Sequence, residues 1–457
     1  MRSPLDSSII PRFILVQEGG IMSLKRKFIR FVLPSMASML VFNLYTMVDG
    51  IFIANYAGET ALAAVNLAMP FINFMFAFSL LLSIGASTLI SIHRGAGREE
   101  RANQLFTMNT VVLSTLALLI SVSCVILAEP LALFLGAGSD TLQYVTEYLR
   151  IIGGFGFFFI VSYSFEVLIK ADGFPQLSTF GVLLGAFTNV VLDALFVFGF
   201  HWGLAGAAWA TGISQLLTFL VFFSHFLFSR KTHFHFTRFS LDLSQYKRIV
   251  PIGIADCITE LSAGVIVFAF NHQILSIIGT SGVVSYTVMT YVYNLVLMAF
   301  VGIAQGCQPL VSYAVGQGDS ATIKQVYRYG LVAAALTSAL CFGGCVILTP
   351  QIVAIFIKPQ EAALFASTVA SFRIYAICFL IMGYNVLTSG FFVALAKPKA
   401  ALTLSLARGI VVILVCLLIL SSALGAMGIW LTPTVSEGLC LIISLILMRS
   451  TRPFAAA

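Results

Sequence analysis

Charge is what this 457-residue sequence has least of: Asp, Glu, Lys and Arg together make up 9% of it, where a soluble domain carries about a quarter. A water-soluble globular protein is thereby excluded. Strict alternation of apolar and polar residues is also missing, so the short strands of an outer-membrane barrel are excluded too. The eight cysteines, Cys124, Cys257, Cys307, Cys341, Cys345, Cys378, Cys416 and Cys440, form no CxxC pair and no disulfide framework. Cys341 and Cys345 share a helix face but read as small packing residues. No HExxH, GxSxG or GxxxxGK occurs, which argues against a membrane hydrolase or an ATP-driven pump. The six histidines, His93, His201, His225, His233, His235 and His272, are scattered. His233 and His235 fall in a basic loop and are expected to be solvated. The Gly-x-Gly runs at 95–97 and 316–318 lack a preceding strand and a further glycine, so they read as turns. The chain is not expected to be an enzyme or to hold a cofactor.

What the sequence does have is apolar length. It is 59% hydrophobic with a mean hydropathy of +1.01, and runs of about 20 apolar residues, enough to cross a bilayer core of about 30 Å, recur throughout. Twelve helical spans are expected near 30–55, 62–92, 105–127, 144–169, 177–198, 203–228, 249–278, 283–313, 329–348, 366–395, 401–421 and 428–448. The fold class is all-α, polytopic, with the lipid bilayer as its partner.

Basic residues orient the bundle, because Lys and Arg accumulate on the cytoplasmic side. Lys25, Arg26, Lys27 and Arg30 precede the first span, Arg94, Arg98 and Arg101 follow the second, and Arg230, Lys231, Arg238, Lys247 and Arg248 follow the sixth. The opposite connections hold Glu59, Glu129, Asp140 and Glu361 but only one base, Lys358. Both termini are therefore expected in the cytoplasm and the protein in the cell (inner) membrane. The net charge of +7 then reflects topology, and no nucleic-acid partner is expected. The first twenty residues make a poor signal peptide. Met22, followed by SLKRKFIRF, is a more natural start than Met1, so residues 1–21 are expected to be disordered or never translated.

The chain repeats itself. Pro34 matches Pro251 at a shift of 217, the Gly85 and Gly95 motifs match Gly306 and Gly316 at 221, Arg150 and Pro175 match Arg373 and Pro398 at 223, and GLAGAAW at 203–209 matches GAMGIW at 425–430 at 222. Two copies of one six-helix unit are implied. Six is even, so the copies run parallel, as in transporters that rock two bundles around a shared cavity. The expected divisions are a tail at 1–27, a lobe at 28–228, a linker at 229–247, a second lobe at 248–448 and a tail at 449–457.

Ionisable groups inside the spans need a reason, since a charge at the bilayer centre costs about 2.5–3.5 kcal/mol. Asp49 lies in the first span with Tyr45 one turn before it, Glu166 in the fourth, Asn189 and Asp193 in the fifth, and Asp256 and Glu260 on one face of the seventh. Residues i and i+4 share a helix face, so Asn189 and Asp193 make one polar spot. By the shifts above, Asp49 corresponds to a position near Ile266 and Asp193 to Val415 or Cys416. The polar spot is thus expected in the first copy alone, which suits a coupling site in one lobe. Carboxylates held out of water near one another readily exchange a cation, and Asp49 and Asp193 are the candidates. Glu166 and Glu260 are further cation-coupling candidates, with reaching water or pairing with Lys170 at i+4 as the structural alternative for Glu166, and Asp256 is expected to serve as a cap-like group after Pro251. Phe74, Phe76, Phe155, Phe157 and Phe158 are candidates to line a cleft for organic cations.

The ordered set VDGIF after Pro34, ALAAVNLAMP at 61–70, GAG at 95, ADGFPQ at 171–176, NVVLD at 189–193, GLAGAAWAT at 203–211 and GIAQGCQPLVSYAVGQG at 302–318 resembles the multidrug and toxic compound extrusion (MATE) family, in its bacterial and archaeal branch. The resemblance covers residues 28–448. It implies a V-shaped, two-lobe, twelve-helix antiporter that exports small amphipathic, cationic drugs or toxic compounds in exchange for H⁺ or Na⁺. It carries a polar network onto Asp49, Asn189, Asp193 and Thr211, with a sodium alternative at Asp49 and Asp193, and matches Glu260 to a seventh-span acid. Glu166 stands where the family often has Asn. The tenth-span carboxylate of some sodium-coupled members is missing from SFRIYAICFLIMGYNVLTSGFF. Tyr45, Asn73, Tyr291 and Asn294 are the substrate-cleft candidates, and a monomer is expected. The alternative is a lipid-linked precursor flippase of the same superfamily, although those members often carry additional helices and a more cationic cavity. A non-transporting scaffold ranks third.

Overall fold

A computed structural model describes residues 23–56 and 59–454, apart from the side chains of Asp49, residues 51–56 and Glu59. The expectation for residues 1–21 and the Asp49 carboxylate lie outside the described residues. Fifteen α-helices and no strand occur among those described. The first half holds α1 (Leu24–Tyr56), α2 (Glu59–Gly95), α3 (Glu99–Ile126), α4 (Ala128–Phe134), α5 (Leu142–Asp172), α6 (Pro175–Asp193) and α7 (Gly203–Phe228). The second holds α8 (Tyr246–Ile277), α9 (Thr280–Gln317), α10 (Ser320–Phe356), α11 (Ala362–Tyr375), α12 (Phe379–Ala394), α13 (Pro398–Leu406), α14 (Val412–Leu424) and α15 (Ala426–Thr451).

Twelve of the resulting segments are long and apolar enough to cross a membrane. The seven-residue α4 is too short. A 3₁₀ turn at Ala376–Cys378 joins α11 to α12 in one crossing, and a π-helical turn at Ala407–Val411 joins α13 to α14 in another. Several helices outrun the apolar stretch that revealed them: the ninth crossing, expected at 329–348, is Ser320–Phe356. Backbone hydrogen bonding does not stop where hydrocarbon does, so hydropathy marks the core of such a helix and misses its watered turns.

The duplication is written into the backbone. Positive φ recurs at Gly97 (73°) and Gly318 (70°), at Gly173 (102°) and Ala396 (52°), and at Gly203 (54°) and Gly425 (57°). The middle pair shows how closely the copies agree. Gly173 N–H donates to Lys170 O and Phe174 N–H to Ile169 O, and 223 residues later Ala396 N–H donates to Val393 O and Lys397 N–H to Phe392 O. A left-handed residue ends one helix, and Pro175 or Pro398, whose missing N–H would have no partner in a first turn, begins the next.

Two six-crossing lobes follow, α1–α7 and α8–α15, and they meet where α1 packs along α9 and α2 along α8 and α9. Glycine makes that approach possible. A Cβ on Gly85 would run into the Ile249 carbonyl, and one on Gly253 into the Leu81 carbonyl; Gly95 against Tyr313 and Gly316 against Ile92 repeat the reciprocity one step along. Gly302 and Gly306 meet the backbone of Met36 and Val32 of α1 in the same manner. Every one of these crossings lies near the start of α1 or α8, or near the end of α2 or α9. The lobes are therefore sealed together on the side of the membrane where Leu24 enters.

Candidate functional site

Within the first lobe, α6 packs against α7 so tightly that Cβ atoms on Gly181 and Gly185 would strike Phe222 and Thr218. This brings Asn189 beside Thr211, to whose Oγ1 its Nδ2 donates at 3.3 Å. Asn189 and Asp193 are both 0% exposed. The carboxylate thus does not end in a solvated helix terminus; it is enclosed by its lobe. Immediately after Asp193 the helix widens into a π-helical turn, Ala194–Gly199, a local distortion that recurs at functional sites. The structure joins two of the candidates, Asn189 and Thr211, at the α6–α7 contact, with Asp193 one turn further along α6; the Asp49 side chain, and with it the sodium alternative that needs Asp49, lies outside the described residues.

Glu166 does not reach water. It is buried on α5, and Lys170 Nζ lies 2.7 Å from its Oε1, the i+4 ion pair, while Ser178 Oγ of α6 approaches the same oxygen at 3.5 Å. Lys170 Nζ also donates to Gln305 Oε1 of α9 at 3.0 Å, and Gln305 Nε2 donates to Tyr163 OH at 3.2 Å. Tyr163 lies within electrostatic reach of Glu166 and also of Asp256 and Glu260 on α8. Asp256 and Glu260 lie about one and two turns beyond the Gly253 crossing on α8. Gln308 Nε2 donates to Thr88 Oγ1 at 2.9 Å in a second polar tie between lobes.

Aromatic rings lead away from this junction. Tyr163 meets Phe76 edge-on at 4.8 Å, Phe76 stacks on Phe42 at 5.9 Å, and Phe42 meets Tyr45 at 5.3 Å. Tyr45 and Phe76 thus belong to one wall. Phe155, Phe157 and Phe158 instead pack on Trp209 and Phe219 of α7, because α5 turns that face into its own lobe. Phe74 is exposed. Among the other cleft candidates, Tyr291 stacks on Phe356 of α10 at 5.6 Å, and Asn73 and Asn294 are half-buried.

Sequence reasoning missed an ion pair and its hydrogen bonds in the second lobe. In the second lobe, Arg408 Nε donates to Glu437 Oε1 at 2.8 Å, Asn385 Nδ2 donates to Glu437 Oε2 at 2.7 Å and to its carbonyl at 2.8 Å, and Ser444 Oγ donates to Asn385 Oδ1 at 2.9 Å. The tenth crossing lacks a carboxylate, yet its Asn385 meets one supplied by α15. The repeat even shares a bond here: Ser162 Oγ donates to the Gln215 carbonyl at 3.3 Å, and 385 − 162 = 223 while 437 − 215 = 222. Both charges were visible in the sequence, as single ionisable residues in the apolar runs SLARGIVV and PTVSEGLC, the same signal that marked Glu166.

His233 and His235 are both exposed, as expected, yet the loop that carries them is tethered. His233 N–H donates to Asp172 Oδ1 at 2.8 Å, its Nδ1 lies 3.2 Å from the same oxygen, and His225 Nε2 lies 2.9 Å from Oδ2. The loop after α7 is thereby pinned to the end of α5 instead of floating in solvent, with His235 N–H and Thr237 N–H donating to Asn103 and Thr107 of α3. Among the described residues no group of three or more His, Cys, Asp or Glu side chains is placed to hold a metal ion.

A family model described as MatE matches residues 34–195 and 257–418, two stretches offset by 257 − 34 = 223, the shift already seen in the turns. The chain is similar to the multidrug export protein MepA of Staphylococcus haemolyticus, 25% identical over 433 residues that span 94% of each chain. The MepA of Staphylococcus saprophyticus is 23% identical over 92% of this chain and 93% of its own. In fold the chain resembles a MATE crystallised in complex with MaL6, with a TM-score of 0.90, 22% identity and coverage of 95% of this chain and 97% of that one. An outward-facing multidrug resistance MATE family transporter of the MOP superfamily gives a TM-score of 0.88 at 23% identity, with the same coverage.

Proposed function

Since the chain belongs to the MatE family of multidrug efflux transporters, we propose that it is a secondary antiporter that expels amphipathic, cationic compounds in exchange for H⁺, with Na⁺ as the other coupling ion to be tested. The observation that carries this reading is the complete burial of Asn189 and Asp193 beside Thr211 inside one lobe. A carboxylate buried among membrane helices is costly unless it is paired, hydrogen-bonded or bound to a cation, and an acid so placed is suited to exchanging a proton or a metal cation. Binding and releasing that cation is then a large local change, and it acts on the very helix pair, α6 and α7, whose packing defines the lobe.

Alternating access supplies the rest. The lobes, which we place at 28–228 and 248–448 with a linker at 229–247, meet on the Leu24 side, which the distribution of basic residues makes cytoplasmic in a cell inner membrane. A cleft bounded by Tyr45, Phe42 and Phe76 offers apolar faces and ring quadrupoles to an aromatic cation. The acids of the spans, Asp193, Glu166, Asp256 and Glu260, outnumber Lys170 and suit a cationic substrate better than an anionic one. No second polypeptide is needed for any step, and a monomer suffices.

The test is efflux of a fluorescent amphipathic cation from proteoliposomes under an imposed pH gradient or sodium gradient. Wild-type protein is expected to respond to the pH gradient, and Asp193→Asn to lose at least tenfold in gradient-driven rate while still binding the dye. An Asp193→Asn protein that transports at the wild-type rate refutes the assignment.

A further inference from the structure

Lys170 is 2% exposed and has two partners in different lobes. Neutralising Glu166 requires only the first of them. The second, Gln305, belongs to α9, and it completes a chain that runs from Glu166 through Lys170 and Gln305 to Tyr163, crossing from the first lobe to the second and back. Beside it lies a cavity of about 10 Å³ lined by Ser87, Val167, Lys170, Gln305, Gln308 and Pro309, room for about one water molecule. Elsewhere the seam combines the close backbone approaches at the glycine crossings with side-chain packing such as Phe28 against Tyr329. Gln305 and Gln308 are thus polar side chains whose bonds must let go whenever α9 parts from α5 and α2.

We propose that Lys170 is the latch of the seam: its ammonium holds the lobes together through Gln305, and Glu166 keeps the ammonium aimed there. Lys170 is a positioning residue, acting on which side the cleft opens and not on the transported compound. Glu166 restrains it from one turn away on the same helix, with Ser178 of α6 steadying the carboxylate. The other charged or titratable groups at the junction are Tyr163 on α5 and Asp256 and Glu260 on α8. When the Glu166 carboxylate is occupied by another cation, the ammonium loses its guide, the bond to Gln305 loses its geometry, and the seam is free to open. The inference rests on the alternating-access reading above, and it adds the residue through which ion occupancy of the first lobe reaches the second.

Hydrogen–deuterium exchange of the full-length protein in lipid nanodiscs, read by mass spectrometry at one pH with no gradient or substrate, tests it. Gln305→Leu leaves the Glu166–Lys170 pair intact and removes both crossing bonds, the one from Lys170 and the one to Tyr163. It is expected to speed exchange at least threefold in peptides from 81–95 and 302–316, with those from α3 and α14 unchanged. The paired variant Glu166→Gln/Lys170→Met removes the latch without leaving a lone buried charge, keeps the Gln305–Tyr163 bond, and is expected to speed exchange in the same peptides by no more than Gln305→Leu does. Combining all three changes is expected to add nothing further. Wild-type exchange in Gln305→Leu overturns the latch, as do effects that multiply in the combined variant or a rise shared equally by α3 and α14. Because exchange needs no transport, a protein that moves no dye in liposomes can still pass or fail this test.

Discussion

Arg408 and Glu437 form a buried ion pair, Nε to Oε1 at 2.8 Å, across the π-helical turn that joins α13 to α14 and the middle of α15. Removing one member strands the other: breaking a buried pair costs about 3–5 kcal/mol, whereas replacing both by apolar groups is often neutral or better. Arg408→Met is therefore expected to lower the thermal midpoint in detergent far more than Arg408→Met/Glu437→Leu. A single variant no less stable than the double would show that the pair's charges are already satisfied by water.

Gly253 has the Leu81 carbonyl where a Cβ would stand. Gly253→Ala overpacks only the arrangement in which the lobes are sealed, by about 1–3 kcal/mol, which is a shift of roughly 5- to 150-fold toward the arrangement open on the Leu24 side. Each lobe remains intact, so melting should barely move while transport falls. Equal transport by Gly253→Ala and wild type would mean that α2 and α8 slide apart more easily than their contact implies.

Ala396 occupies the left-handed region at φ 52°, where its counterpart in the first copy is Gly173. A Cβ there costs about 1–2 kcal/mol, and a glycine's extra freedom in the unfolded chain takes back about 0.5–1 kcal/mol. Ala396→Gly is expected to stabilise by about 0.5 kcal/mol and to raise the melting midpoint by about 1 °C. A lower midpoint would mean that the methyl group makes a packing contact worth more than the strain.

Asp319 caps α10: its Oδ1 accepts from Thr322 N–H at 2.9 Å and its Oδ2 from Thr322 Oγ1 at 2.6 Å. Burial pushes this carboxyl up, but the hydrogen bonds from Thr322 and Ala321 outweigh it and hold it below its ordinary value. The cap therefore stabilises fully above the unfolded-state value of about 3.9 and fades as pH falls through the lower folded-state value. Asp319→Ala should cost about 1 kcal/mol at neutral pH, and the gap between the two melting curves should close on acidification below pH 4. A gap that persists at the lowest pH would assign the effect to backbone conformation instead.

Much of the fold was legible because lipid imposes one strong rule, that a crossing segment be apolar for about 20 residues, and this chain obeys it twelve times. The repeat was legible because close helix crossings and helix starts need particular residues: Gly95 and Gly316 stand where backbones meet, and Pro175 and Pro398 open equivalent helices. Spacing also placed Asn189 with Asp193 and Glu166 with Lys170, since contacts at i+4 are local.

What sequence could not give is the third dimension of those contacts. Gln305 is an ordinary polar residue of α9 until the seam brings it to Lys170, and Asn385, Arg408 and Glu437 lie on three crossings that meet only after folding. The second-lobe pair was hidden by a comparison of equivalent positions, which asks whether an acid in one copy has an acid in the other. Gln215 stands opposite Glu437, so the repeat kept the bond to the backbone and changed the charge.

The glycine crossings have a consequence for leakage. Where Gly85 and Gly253 bring main chain against main chain, there is no rotamer to flip and no plug to slip aside, so thermal jostling of individual residues cannot open a path for ions. Passage requires whole rods to separate at once, and a barrier of that kind is either shut along its full depth or parted.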